Sequence, residues 1–374
     1  MKVSYLHGVC VKNDAISNAI RDEILWLVEQ GHSVKLYTYR CDYSELPFQR
    51  VGELRDVAFD EHFQNSDLVA FHFGVFYPLF NVIPIAPRRA KKVVMFHNIT
   101  PKSFLPASAH DLIDRSFAQM YNIAFADHVI CDSHTNLQVL QNAGIQTPNT
   151  VLPLAVHLEG EAPEAKPSFT DGITRIAFVG RFVMSKGPDE VLSALHSVMH
   201  QWPQASFAVD MVGNLDFSDA AVVERVKVLL ATMKSEFGDR FQAALHGNAS
   251  DALKAQVLSD ADIFVLPTRH EGFCVPILEA FSRGCCVVSY DNSNVPAVSG
   301  GLATLVETGD VNALAAALQA RVEETRSDHW RAQGDAEEGY AKHRRLAAEH
   351  LKTFSPDLVK QRFLEWVERL MQKA

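Results

Sequence analysis

The stretch D-I-F-V-L-P-T-R-H-E-G-F-C-V-P-I-L-E-A-F-S-R-G-C-C-V-V-S-Y, residues 262–290, holds three elements in close succession. D-I-F-V-L-P is a short unbroken apolar run, the pattern of a strand buried on both faces. P-I-L-E-A-F-S-R opens on Pro276, a favoured first helical position, and Gly284 stands where the helix can end. C-C-V-V-S-Y is a second buried strand. A strand, a helix and a strand so close together make a β-α-β unit and predict a parallel sheet. The loop T-R-H-E-G-F-C-V then lies at the carboxyl edge of that sheet and leads into a helix N-terminus, whose unpaired N–H groups attract anions. It presents two carboxylates: Glu271 in the loop and Glu279 in what the spacing places as the first helical turn. By itself Glu279 there is equally well read as compensation of the helix dipole, and Glu271 as a solvated loop acid.

The same alternation runs through the rest of the chain. Val3 to Val9 reads as a strand, and A-I-S-N-A-I-R-D-E-I-L-W-L-V-E-Q as an amphipathic helix with Gly31 at its end. H-S-V-K-L-Y-T-Y then begins the next strand, and further short apolar runs follow at Asp67–Phe73, Lys92–His97, His128–Asp132 and Asn149–Leu154. Between Glu159 and Thr174 the composition turns to proline, glycine and acids, which reads as an interdomain linker. Beyond it strands and helices alternate again to Tyr290, and S-P-D-L-V-K-Q-R-F-L-E-W-V-E-R-L-M forms a last amphipathic helix capped by Ser355. The expected organisation is an α/β chain of two Rossmann-like, doubly wound parallel-sheet domains, residues 1–165 and 172–350. Helix 356–373 is expected to pack back on the first, and a ligand cleft to lie between their carboxyl-end loops.

The 374 residues exceed the size at which one hydrophobic core stops growing, in accord with two domains. A formal net charge of -10 gives no global basic field, which excludes nucleic acid as the expected partner. The cysteines Cys10, Cys41, Cys131, Cys274, Cys285 and Cys286 show no C-x-x-C pair, so neither a zinc site nor a disulfide framework is expected. No apolar run reaches bilayer length and the start does not resemble a signal peptide, so the expected location is cytoplasmic. The run P-R-R-A-K-K, with Arg88, Arg89, Lys91 and Lys92, reads equally as a patch for anionic lipid on the cytoplasmic face of a membrane or as a solvated loop.

A second loop repeats the placement of the first. Strand I-T-R-I-A-F-V-G ends at Gly180, R-F-V-M-S-K-G follows, and Pro188 opens the next helix. Arg181 and Lys186 would stand at a helix N-terminus where a guanidinium and an ammonium can hold phosphate oxygens. Taken alone they are two surface cations, and the Walker A order is missing.

Strand-G-R-x4-K-G-helix, followed about ninety residues later by strand-P-T-x2-E-G-F-x-V-P-x2-E-A, resembles the family 4 retaining glycosyltransferases of GT-B fold. Traces such as F-H-N-I-T, A-D-H-V-I-C-D-S, M-V-G-N and L-H-G-N-A-S extend the resemblance over most of the chain. It implies that Arg181 and Lys186 bind the donor diphosphate and that Glu271 faces the donor sugar. Glu279 would hold the ribose hydroxyls, and the backbone of Gly272, Phe273 and Cys274 would lie against sugar and phosphate. Gly213, Asn214, Gly247 and Asn248 correspond to loops that enclose the nucleobase, and His97 to a histidine that contacts the sugar. Asn13, Asp14, His72 and Asn98 stand as acceptor-side candidates, with His7 and His270 as further histidines at strand ends. Ser133 reads only as an N-cap.

Two departures from the family pattern matter. The first loop, V-K-N-D-A-I-S-N, lacks the usual adjacent glycines, so Asn13 or Asp14 would cap the helix, as in a subgroup resembling bacterial polysaccharide and O-antigen mannosyltransferases. The last glycine of E-G-F-G is Cys274, which narrows the sugar site, and no histidine is paired with it by motif as a nucleophile's base would be. The resemblance implies transfer of a hexose, mannose as the best choice, from a GDP- or UDP-linked donor. The acceptor would be a hydroxyl of a growing polysaccharide, O-antigen or lipid-linked glycan, with anomeric retention and neither cofactor nor metal. A GT-B epimerase and a non-catalytic nucleotide-sugar-binding protein are the alternatives. A phosphorylase would need a pyridoxal phosphate lysine, which the sequence does not offer.

Overall fold

The computed structural model describes all residues except Asn13, Glu159, 333–337 and 373–374. The chain forms two units, Met1–Val156 with Phe354–Ala374, and His157–Thr353. The first contains strands β1 (Lys2–Leu6), β2 (Ser33–Thr38), β3 (Phe48–Arg50), β4 (Leu68–Phe73), β5 (Lys91–Phe96), β6 (His128–Cys131) and β7 (Asn149–Val151). They pair in parallel in the order β3-β2-β1-β4-β5-β6-β7. The expected strand Val3–Val9 ends at Leu6, and Val9–Cys10 pairs separately with Arg40–Cys41.

Side chains alternate between the two faces of this sheet with the period-two geometry of strands. Val69, Phe71, Phe73, Val94 and Phe96 enter one core. Leu68, Ala70, Val93 and Met95 enter the other, together with Val3, Tyr5 and Ile130. That second face is covered by helix α1 (Ala15–Glu29) and by the C-terminal helix Pro356–Gln372, through Ile20, Ile24, Phe363, Trp366 and Val367. Trp26 and Phe363 rings lie 5.9 Å apart, and Lys360 pairs with Glu29. Asp14 caps α1, its carboxylate accepting from Ser17 N at 2.8 Å and Ser17 Oγ at 2.7 Å. The alternative cap, Asn13, lies outside the described residues. Ser133 caps its helix by accepting from Asn136 N at 3.1 Å.

The second unit contains β8 (Thr174–Val179), β9 (Phe207–Gly213), β10 (Phe241–Gly247), β11 (Ile263–Leu266), β12 (Cys286–Tyr290) and β13 (Thr304–Val306). They form a parallel sheet in the order β10-β9-β8-β11-β12-β13. The helices that matter below are α2 (Pro188–Gln201), α3 (Ala220–Phe237) and α4 (Val275–Ser282). The stretch read as a linker is in part packed against this unit. Lys166 is buried, and its ammonium donates to Leu258 O, Ser259 O and Arg283 O at 3.2, 2.9 and 2.7 Å. The alkyl stem lies in the protein while three carbonyls satisfy the charge, so a residue that composition alone marks as solvated is a tether.

Candidate functional site

Two loops of the second unit are stitched together at the carboxyl edge of β8 and β11. Arg269 N donates to Ser185 O at 2.7 Å, and Thr268 Oγ1 to the same carbonyl at 3.3 Å. Lys186 Nζ reaches Glu271 at 2.5 Å, Thr268 Oγ1 at 3.4 Å and His270 O at 3.3 Å. Both members of the Lys186–Glu271 pair are largely buried, at 15% and 11% side-chain exposure, which makes the pair stronger than a surface one. The two residues stand far apart in sequence and meet because β8 and β11 are adjacent strands. Gly187 makes the turn possible. Its φ is +58°, and a Cβ there would stand 2.9 Å from Pro267 Cγ and O. Arg181, at the start of the same loop, is exposed; its carbonyl accepts from Val183 N at 3.0 Å, and its guanidinium has no hydrogen-bond or ion-pair partner among the described residues.

Glu279 needs a correction. Helix α4 begins at Val275, with Cys274 as its N-cap, so Glu279 is the fifth helical residue and the first turn carries no acid. Dipole compensation therefore fails as its explanation, because that effect falls off within the first turn. Its carboxylate instead meets Lys254 Nζ at 2.7 Å. Burial pulls the Lys254 ammonium down and the Glu279 charge lifts it further, leaving it above its ordinary range. Lys254, on helix Asp251–Asp260, went unnoticed in the sequence because it reads there as an ordinary surface lysine.

Cys274 is buried at φ +80°, ψ +58°, the left-handed region that favours glycine. The position keeps the backbone of a glycine turn while carrying a side chain. Burial, with the Glu271 carboxylate next to it, pushes the thiol pKa well above its usual value. A thiol held protonated in this way is unsuited to nucleophilic attack. Asn294 Nδ2 donates to Phe273 O at 2.9 Å, and Asn292 Nδ2 to Thr268 O at 2.6 Å, so two asparagines following β12 hold the loop backbone. The sequence offered no signal for them beyond their nearness to a strand end.

The four loop residues expected around a base are brought together. Gly213 and Gly247 are register partners, and a Cβ on Gly213 would come within 2.3 Å of Gly180 O. Asn214 Oδ1 accepts from Asp216 N at 2.9 Å, and Asn248 Oδ1 from Leu215 N at 3.1 Å. Both asparagine side chains thus spend hydrogen-bonding capacity on shaping the loop 213–217.

In the first unit, side-chain parity collects a second cluster. Tyr5 on β1, His72 on β4, His97 just past β5 and Asp132 just past β6 share the face covered by α1. Helix α1 adds Glu23. Tyr5 donates its hydroxyl to Glu23 Oε2 at 3.0 Å, and the same oxygen lies 3.2 Å from His72 Nε2. His72 Nδ1 lies 2.9 Å from His97 Nε2, and His97 Nδ1 3.2 Å from Asp132 Oδ2. His7 Nδ1 lies 3.0 Å from His72 O. Burial lifts the Glu23 carboxyl to about 8, while burial and then the neighbouring His97 hold His72 well below the usual histidine range. His7 is lowered to about 3, first by burial and then by His72.

Glu23, His72, His97 and Asp132 thus form one continuous chain of hydrogen-bonding side chains. Both His97 nitrogens are engaged, so a ligand hydrogen bond to its ring would replace one of these contacts. A recess beside the chain is lined by Glu23, Trp26, His97, Asp132, Leu154 and Phe363.

Among the acceptor-side candidates, His72 is buried in this chain, and Asp14 serves as the α1 cap. Asn98 stands at φ 73° with its Oδ1 accepting from Ile99 N at 2.7 Å. Its Nδ2 is buried without a partner among the described residues. An orphaned buried donor in a strained backbone conformation is the pattern of a ligand contact. Of the basic run, Lys92 lies 4.0 Å from Asp127, Arg89 donates to Asn65 at 3.3 Å, and Arg88 is exposed. No helix among the described residues is long and apolar enough to cross a membrane.

Residues 173–324 match the family described as "Glycosyl transferases group 1". The chain is 28% identical over 180 residues to a component of the phosphatidylinositol N-acetylglucosaminyltransferase of Arabidopsis thaliana, covering 48% of this chain and 38% of that protein. It is 31% identical over 135 residues to the D-inositol 3-phosphate glycosyltransferase of Corynebacterium jeikeium, covering 36% of this chain and 31% of that one. The matched stretches thus span about a third of these relatives' own length. The sucrose-phosphate synthase of Thermosynechococcus elongatus superposes with a TM-score of 0.70 over 100% of both chains at 15% identity. That likeness is one of fold: the two parallel-sheet units are those of the GT-B architecture.

Proposed function

We propose that this chain, whose second unit carries a group 1 glycosyltransferase domain, moves a hexose from a nucleoside diphosphate sugar to a hydroxyl of a growing glycan. The observation that carries the reading is the Lys186–Glu271 pair, in the loop that also holds Arg181. A cation neutralised by a carboxylate and a second, exposed cation with no side-chain partner among the described residues belong to the one loop that leads into α2. An arriving diphosphate brings enough negative charge to draw Lys186 from Glu271 and to engage Arg181. Glu271 is then released to accept hydroxyl hydrogen bonds from the sugar.

In this reading Arg181 and Lys186 also stabilise charge that develops on the departing diphosphate. No second carboxylate stands by motif as the partner for a double displacement. Transfer is assigned retention of configuration, with the diphosphate oxygen taking the acceptor's proton on the face it leaves, and no metal ion in the step. Glu279 is assigned to the ribose, with Lys254 fixing its carboxylate. Acceptor handling is assigned to the first unit, where the unpartnered Asn98 Nδ2 is a ready donor to a hydroxyl. Mannose as the sugar and a polysaccharide or lipid-linked acceptor are the choices favoured by the resemblance. The curated relatives' names add inositol-containing acceptors to those worth assaying.

A thermal-shift panel of GDP- and UDP-sugars tests the reading, since a donor that binds only the folded state raises the melting temperature. At least one is expected to stabilise the protein and to be hydrolysed slowly without acceptor. Binding without hydrolysis or transfer would favour a nucleotide-sugar-binding protein. Absence of any binding would end the proposal.

A further inference from the structure

On the second unit, away from the loops described above, three side chains converge. His196 and His200 are one helical turn apart on α2, in the sequence H-S-V-M-H, and therefore project from the same helix face. Glu236 reaches them from α3, which packs alongside. His196 Nε2 lies 2.8 Å from Glu236 Oε2, and His200 Nε2 3.0 Å from Glu236 Oε1. The three ligand atoms all lie within 4.8 Å of one another.

We propose that His196, His200 and Glu236 form a binding site for a divalent cation of the zinc class, joining α2 to α3. Two imidazoles and a carboxylate are the donor set such ions take, and three protein ligands with an open fourth position are common for zinc. Tetrahedral bonds of about 2.0–2.1 Å require ligand atoms about 3.3 Å apart, so each imidazole–carboxylate separation, now 2.8 and 3.0 Å, need open by only a few tenths of an ångström. The rings are already oriented. They meet edge-to-face at 4.7 Å, and each packs against Phe237, at 5.4 Å for His196 and 5.2 Å for His200. Without a cation, one carboxylate must accept from two Nε2–H groups. With one, each neutral imidazole shifts its proton to Nδ1 and offers Nε2 as a ligand. Side-chain exposures of 39%, 55% and 37% leave the ion open to solvent, where water fills the remaining position.

The site does not depend on the glycosyltransferase reading. Because an ion held by both helices binds only the folded unit, its affinity appears as stability. The experiment uses metal-stripped full-length protein titrated with Zn²⁺ by calorimetry and with Co²⁺ by visible absorption. One ion per chain is expected, with Co²⁺ bands of nitrogen–oxygen ligation and no thiolate charge transfer, together with a rise in melting temperature. His196→Ala and His200→Ala should each weaken binding at least tenfold, and the double variant or Glu236→Gln should abolish the rise. All three positions are partly exposed, so the metal-free variants should melt near the parent. No binding to the parent, or binding unchanged in the double variant, or a thiolate spectrum, would overturn the proposal.

Discussion

The carboxylate of Glu23 lies 3.2 Å from His72 Nε2 and burial raises its pKa to about 8, so an acid on a helix and a histidine on a strand share one buried proton relationship. The folded protein binds a proton at Glu23 that the unfolded chain releases above its ordinary carboxylate pKa. Between about pH 4.5 and 8 this group therefore lowers stability as pH rises, and above 8 its contribution is constant. His72 and His7 act in the opposite sense below the ordinary histidine pKa, because the unfolded chain takes up protons there that the fold refuses. Glu23→Gln isolates the first effect. Between pH 5 and 8 the variant should gain on the parent by on the order of a few kcal/mol, read by denaturant unfolding. Parallel stability curves would show that Glu23 is ionised in the fold.

The paired and unpaired cations make separable predictions. Arg181→Ala should leave melting unchanged, because the side chain is exposed, and weaken nucleoside diphosphate binding about 10–100-fold, the loss of roughly 1.5–3 kcal/mol for a charged hydrogen bond. Glu271→Gln frees Lys186 from its counter-ion. It should hold the nucleoside diphosphate at least as tightly as the parent while sugar transfer falls. Calorimetry of the diphosphate alone checks this. Weaker diphosphate binding in the glutamine variant would mean that Glu271 orients Lys186 rather than competing for it.

Cys274→Gly tests the strained position directly. A left-handed residue with a side chain costs about 1–2 kcal/mol. Glycine relieves that strain but gives back about 0.5–1 kcal/mol in chain entropy, and it loses the buried thiol contacts. Stability should thus stay within about 1 kcal/mol of the parent, while the space beside Glu271 opens. A wider range of accepted donor sugars is the expected functional result, measured by competition among nucleotide sugars. An unchanged range would remove Cys274 from sugar selection.

The C-terminal helix is part of the first unit's core. Phe363 is 1% exposed and packs beside Trp26 on α1. Phe363→Ala should cost about 3–5 kcal/mol, as other buried aromatic truncations do. A loss under ~1 kcal/mol by urea unfolding would mean that the helix is peripheral.

Both parallel sheets were legible in the amino-acid order, since buried parallel strands are continuous apolar runs separated by helical periodicity and glycine or proline punctuation. The loop 268–274 and the loop 181–187 were legible for the same reason, as each sits between a strand end and a proline that opens a helix. Pairing was not. Lys186 meets Glu271 because β8 and β11 are neighbours, and Lys254 meets Glu279 through helix packing, neither of which local spacing encodes. The Tyr5–Glu23–His72–His97–Asp132 chain follows from period-two alternation on strands whose order no single sequence reveals. Glu23 belongs to an amphipathic helix and looks like a solvated acid until the sheet is beneath it. Strands, helices and the loops between them could be read to within a few residues because they depend on local periodicity and backbone chemistry. The partners of the charges, the shared protons and the meeting of two helices at a three-ligand cluster came only with the folded chain, because they depend on distances between residues far apart along it.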